Sequence, residues 1–210
     1  MTNEDINNLL ASLYMAGTDS TAKNLQAFFY NLAKNPDKQE ILRREILEVV
    51  GDSGLVDAAA LSKMSYLKHC LKESFRLNYP TATGVNRALP KDIVASGYRI
   101  PAGTKILLSN PRAAKLCFED PDKFIPERWE RSEDGRKQDT SSNMAVLPFG
   151  YGPRNCIGRR FAVQEIYLAT SKVLQKLKIE LEPESWNTEF IYTVFLDTEK
   201  PLRFKFTKIR

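Results

Sequence analysis

The chain has 210 residues, 42% hydrophobic and 27% charged, with a formal net charge of +5. This composition suits one ordinary globular domain and excludes a largely disordered chain. Three cysteines without metal-pair spacing and a single histidine exclude a disulfide scaffold, a zinc site and any multi-histidine metal centre.

The first predicted element is a long helix over residues 3–34. Thr2 followed by Asp5 reads as a variant of the capping box. Leu9, Leu13, Ala16 and Ser20 recur at helical spacing and form one stripe. Inside it lies Ala16-Gly17-Thr18-Asp19-Ser20-Thr21. Glycine followed by hydroxyl residues is unfavourable at mid-helix. Their side chains can bond to the preceding turn and loosen the ladder. Two readings stand for this segment: a groove facing a ligand, or a packed glycine with back-bonded hydroxyls.

Asn35-Pro36 ends this helix and opens a second one, running to about Val50 with Gly51 beyond its end. Its charges, Lys38, Glu40, Arg43, Arg44 and Glu48, are expected to form a solvated face. A third helix is expected over residues 62–78, with Met64, Leu67, Leu71 and Phe75 buried. Glu73 and Arg76 are three apart and share a face, as do Lys68 and Lys72 at a spacing of four. His69 on the same helix is expected to be packed or half-exposed. Residues 93–96, 98–100 and 104–109 alternate as strands of a small sheet, separated by Gly97 and Pro101-Ala102-Gly103. Residues 111–145 read as a long irregular stretch containing Phe124-Ile125-Pro126-Glu127-Arg128-Trp129.

Next comes Phe149-Gly150-Tyr151-Gly152-Pro153-Arg154-Asn155-Cys156-Ile157-Gly158. Gly150 and Gly152 permit positive φ and close approach of the backbone to a flat object. Arg154 stands two residues before Cys156, within reach of an anion. A cysteine at or near a helix start is favoured as a thiolate, an electron-rich metal ligand. A phosphate loop is a poorer reading: Asn155 occupies the last place of G-x-G-x-x-G, and no lysine of the phosphate-loop type follows. The last long helix is expected to reach about Leu177, with Ala162, Ile166, Ala169, Val173 and Leu177 inward. Arg159 and Arg160 in its first turn oppose the helix dipole. The tail reads as a terminal hairpin with residues 192–195 as a pocket loop.

The cysteine loop resembles the haem-binding signature F-G-x-G-x-R-x-C-x-G of cytochrome P450, with every fixed place filled. The segment around Gly17 resembles the family's A-G-x-D-T-T groove, with Ser20 where the usual residue is threonine. Glu73-x-x-Arg76 and the segment around Arg128 resemble its E-x-x-R and P-E-R-F/W motifs. The Gly-Arg-Arg after Cys156 and the lysine pair resemble mitochondrial-type members. The resemblance implies the C-terminal, mainly α portion of the P450 fold with a minor β-sheet, as one partial domain over residues 1–210.

The implied cofactor is haem b, with Cys156 as axial thiolate and metal ligand. Arg154 and Arg87 would steady the propionates, with Phe149 and Gly150 beside the sulfur. Asp19 and Ser20 would form the proton relay. Glu73, Arg76 and Arg128 would be a buried network locking the proximal loop. Lys68, Lys72, Arg159 and Arg160 would dock an acidic ferredoxin. The implied activity is insertion of one oxygen atom of dioxygen into a lipophilic, sterol-like substrate. A haem-thiolate peroxide isomerase or dehydratase and a non-catalytic truncated product are the alternatives. The implied location is the matrix side of the mitochondrial inner membrane, with the endoplasmic reticulum as alternative. No nucleic-acid partner is expected. The sequence opens within the family's distal helix, so peripheral membrane association would rest on the N-terminal half, outside this sequence. The chain by itself is expected to bind haem poorly and to aggregate. Residues 133–136 are expected to be a mobile tip of the loop preceding the cysteine.

Overall fold

The computed structural model describes residues 1–84, 86–130 and 144–209; the tip at 133–136 lies outside them. Helix α1, Asn3–Lys34, opens on a complete capping box: Thr2 accepts from the Asp5 N–H, and the Asp5 carboxylate accepts from the Thr2 N–H. The buried part of α1 is its second half, with Ala27, Phe28, Phe29, Leu32 and Ala33 inside. The stripe through Leu9 and Leu13 lies in the first half and is left uncovered by the described residues, with these two side chains 50% and 44% exposed. Periodicity marks an apolar face, but a face is buried only where another element covers it.

Helix α2, Pro36–Val50, ends at Gly51 with φ 66. Its inward side chains include Leu42 and Ile46, both fully buried. Lys38 does not belong to a solvated face: its Nζ lies 3.0 Å from Glu127 Oε1. The expected third helix is two helices, α3 (Ala58–Lys63) and α4 (Ser65–Leu77). They are separated at Met64, whose φ −83 and ψ 86 are not helical. A carboxylate from α2 fixes the break, because Glu45 accepts from the Tyr66 and Leu67 N–H groups at 2.7 and 2.9 Å. It thereby satisfies donors that a helix start leaves open. Met64, Leu67, Leu71 and Phe75 are buried as expected.

The strands that follow are short antiparallel pairs. Strand β1 (Arg87–Ala88) pairs with β4 (Lys105–Ile106), and β2 (Ile93–Ala95) with β3 (Tyr98–Ile100). The third expected strand is thus cut to two residues. The stretch after it is not all irregular either: it contains α5 (Asn110–Leu116) and a 3₁₀ turn at Pro126–Trp129.

Helix α6, Arg159–Lys176, buries Ile166, Thr170, Ser171, Leu174 and Gln175. Of the expected inward set only Ile166 is fully inside; Ala162, Ala169, Val173 and Leu177 are half-buried. Polar residues shift the phase, since Gln175 donates to the Gly51 and Gly54 carbonyls. Strand β5 (Leu177–Leu181) pairs with the terminal β8 (Phe204–Lys208) and enclosed between them in sequence is the hairpin β6 (Phe190–Tyr192) and β7 (Leu196–Thr198). The expected hairpin is therefore two nested pairs. Phe29 of α1 meets Phe204 and Phe206 of β8 edge-on, both at 6.3 Å. Gln39 of α2 joins Ile179 through both its N–H and its carbonyl, each at 2.9 Å. These contacts bring α1, α2, α4, α6 and the β5–β8 pair around one core. Among the described residues, no helix is long and apolar enough to cross a membrane.

Candidate functional site

The loop before α6 is a folded turn with its cysteine outward. The Gly150 N–H donates to the Leu147 carbonyl at 2.9 Å, and the Cys156 N–H to the Phe149 carbonyl at 2.8 Å. Gly150 and Gly152 have φ values of 74 and 76, a left-handed region that side chains disfavour. Cys156 is exposed and stands just ahead of Gly158, which caps α6. The Phe149 ring packs edge-on against Phe75 of α4 at 5.4 Å, and the Arg159 guanidinium lies 5.8 Å from its centre. Arg154 closes a 3₁₀ turn at the surface. Arg87 reaches the same loop from β1: its Nη2 donates to the Tyr151 carbonyl at 3.4 Å. Sequence positions 87, 149–150, 154 and 156 therefore converge on one loop.

Asp19 and Ser20 lie on α1, which runs unbroken through them. The Ser20 and Thr18 hydroxyls donate to the carbonyls of Ala16 and Tyr14 at 2.6 and 2.8 Å. The back-bonded form of this segment is the one present, without a break in the helix. Among the described residues, nothing lies within 4 Å of a Cβ placed on Gly17.

Glu73, Arg76 and Arg128 are brought together under the turn at Pro126–Trp129. Glu73 is fully buried. Its Oε1 accepts from Arg76 Nη2, Arg128 Nε and the Ile125 N–H, at 2.9, 3.0 and 3.0 Å. Its Oε2 accepts from Arg76 Nε and from the Trp129 indole, at 2.9 and 3.0 Å. Arg76 also donates to the Pro121 and Lys123 carbonyls.

Lys68, Lys72, Arg159 and Arg160 line one groove of about 610 Å³ between α4 and α6, floored by Leu71, Phe75, Phe149 and Tyr167. They are not equivalent. Lys68 Nζ donates to the Ser62 carbonyl. Lys72 is half-buried with its ammonium 3.8 Å from the centre of the Trp129 ring, and desolvation lowers its pKa. His69 is half-buried too; loss of hydration is the main cause holding its pKa below the ordinary value, and its Nδ1 has no hydrogen-bond partner among the described residues. Sequence reasoning missed Glu45, Lys38 with Glu127, and Lys23, which meets Asp197 of β7 at 2.8 Å. No local pattern announces them, because their partners lie far along the chain.

The donor set suits haem. Among the described residues no group of three histidine, cysteine or acidic side chains could hold a metal ion. A lone cysteine thiolate is the protein ligand that haem iron takes in P450 enzymes. Cys156 is outward on a loop flanked by the exposed apolar side chains of Tyr151 and Ile157, with Arg87 and Arg154 as nearby cations.

The family model described as Cytochrome P450 matches residues 1–206. The chain is 36% identical to "Probable cytochrome P450 12a5, mitochondrial" of Drosophila melanogaster, covering 94% of this chain and 38% of that relative. It is 35% identical to "Cytochrome P450 CYP12A2" of Musca domestica, over 94% and 38% of the two chains. It is 34% identical to "Cholesterol side-chain cleavage enzyme, mitochondrial" of Hypanus americanus, over 99% and 39%. The chain thus spans less than two fifths of the length of these curated relatives.

Proposed function

The chain belongs to the cytochrome P450 family, and on that premise we propose that it carries the haem-thiolate side of a monooxygenase acting on a lipophilic, sterol-like substrate in the mitochondrion. The outward Cys156 on its glycine-shaped loop carries this reading. Haem bound there would supply reductive activation of dioxygen, putting one oxygen atom into a substrate C–H bond and the other into water. Everything else falls to the chain. The Phe149 carbonyl fixes the Cys156 N–H, and the Phe149–Phe75 contact fixes the loop to α4. Arg87 and Arg154 would pair the propionates. Asp19 would hand protons inward, with the Ser20 hydroxyl beside it. Glu73, Arg76 and Arg128 would hold the proximal segment rigid without touching the reaction.

The four cations around the α4–α6 groove support an acidic electron donor of the ferredoxin type. Lys68, Arg159 and Arg160 would give the steering charge. Lys72, already seated on Trp129, would contribute less. The mitochondrial location in the relatives' names supports the same compartment and a donor of this type; the matrix face of the inner membrane would be the site.

The test is spectroscopic. The full-length protein, reduced and treated with carbon monoxide, is expected to show the red-shifted Soret band of a thiolate-bound haem. Cys156→Ser is expected to abolish it. The same spectrum in both proteins would overturn the proposal.

A further inference from the structure

Lys23 joins two parts of the chain 174 residues apart. Its Nζ lies 2.8 Å from Asp197 Oδ2 on β7 and 3.6 Å from Asp19 Oδ2, one turn back on α1. The ammonium is the most sheltered of the three groups: its side chain is 21% exposed, against 36% for Asp197 and 57% for Asp19. An ammonium has three donors and can serve two carboxylates at once. Without it, two like charges would face each other across the α1–β7 contact.

The hairpin that carries Asp197 is not a remote decoration. Its turn is Thr193-Val194-Phe195, and the Leu196 N–H donates to the Pro80 carbonyl at 2.9 Å. Pro80 opens the segment that follows α4. The hairpin is thus tied on one side to that segment and on the other, through Lys23, to the helix carrying Asp19. Any group that moves the hairpin moves Asp197, and the ammonium bonded to Asp197 shifts against Asp19.

We propose that Lys23 is a positioning residue that ties Asp19 to the β6–β7 hairpin, so that the seating of the hairpin sets how Asp19 is presented for proton delivery. This rests on the reading of Asp19 as the relay acid. The geometric half, a staple between α1 and the hairpin, stands on the contacts alone.

The experiment uses full-length protein with Lys23→Met, Lys23→Arg and Asp197→Asn. The first readout is amide hydrogen exchange, which needs no turnover. Lys23→Met and Asp197→Asn are expected to raise exchange several-fold across residues 190–198, and Lys23→Arg to leave it near wild type. The second readout, in haem-loaded protein, is the fraction of reducing equivalents recovered in product. It is expected to fall in Lys23→Met and Asp197→Asn at unchanged haem content and to be kept in Lys23→Arg. Unchanged hairpin exchange in both charge-removing variants would overturn the staple. A loosened hairpin with an unchanged product fraction would overturn the link to Asp19. A wild-type protein lacking the thiolate spectrum would instead sink the haem reading and the relay half with it, while the exchange data still decide the staple. Should Lys23→Met fail to fold, Asp197→Asn removes the same bond from the hairpin side.

Discussion

At Glu73, one carboxylate accepts five hydrogen bonds, three of them from two arginines, with no access to water. Taking an ion pair out of water is expensive, and the Coulomb gain repays it only where hydrogen bonds complete the geometry. Here they do: every lone-pair direction of the carboxylate is occupied. Glu73→Ala would leave Arg76 buried opposite nothing, at a cost of about 3–5 kcal/mol. Arg76→Ala should cost more than Arg128→Ala, because the Arg76 side chain is fully buried while that of Arg128 is 13% exposed. The measurement is the chemical denaturation midpoint, with haem content read on the same samples. Equal midpoints for Glu73→Ala and the parent protein, at full haem content, would refute a locking role. The pair Glu73 and Arg76 is legible from spacing alone, since three residues apart is one helix face. The third member is legible only through the resemblance and the indole not at all, because contacts across more than fifty residues leave no periodic trace.

On the scale of elements, α4 shows where sequence reading succeeds and where it stops. Its buried stripe follows directly from 3.6-residue spacing and holds at every position named. Its start does not, because the signal that ends α3 at Met64 comes from Glu45 on a different helix. Helix α6 fails in the opposite way. The apolar residues suggest one phase, but Thr170, Ser171 and Gln175 are buried on another, where Ser171 and Gln175 find hydrogen-bond partners. His69 lies on the flank of the α4 stripe, and its half-burial has a consequence for pH. Loss of hydration, the largest effect, depresses its pKa in the fold, although Glu130 and Glu45 oppose this. The folded protein therefore takes up a proton later than the unfolded chain as pH falls. Stability from this group is complete above its ordinary value of about 6.5 and declines as pH drops from there through the lower folded value. His69 is the sole histidine, so that window is readable. Denaturation midpoints compared at pH 7.5 and at mildly acidic pH should separate in the wild type and draw together in His69→Gln. Equal separation in both proteins would show that another group is responsible.

For the molecule as a whole, the uneven distribution of burial matters most. The second half of α1, with α2, α4, α6 and the β5–β8 pair, makes a packed core. The first half of α1 presents Leu9, Leu10, Leu13, Tyr14 and Met15, all 44–75% exposed, and Phe161 and Ile157 stand 76% and 87% exposed near the cysteine loop. Scattered apolar residues on a surface are ordinary, but a run of them along one helix marks a face that packs against something. That face is written in the sequence as a regular stripe; what covers it is not, since the stripe carries no information about its partner. Several large side chains exposed together cost roughly 1.5–3 kcal/mol each relative to burial. Association between copies of the chain would recover part of that. The 210-residue chain expressed by itself is therefore expected to sediment as a broad distribution of oligomers and to enhance the fluorescence of an apolar-surface dye. Leu10→Glu with Tyr14→Glu should shift it toward monomer, because the substitutions add charge to the exposed face without touching the core. A wild-type chain that sediments as a single monomer without dye binding would show that the face is not adhesive.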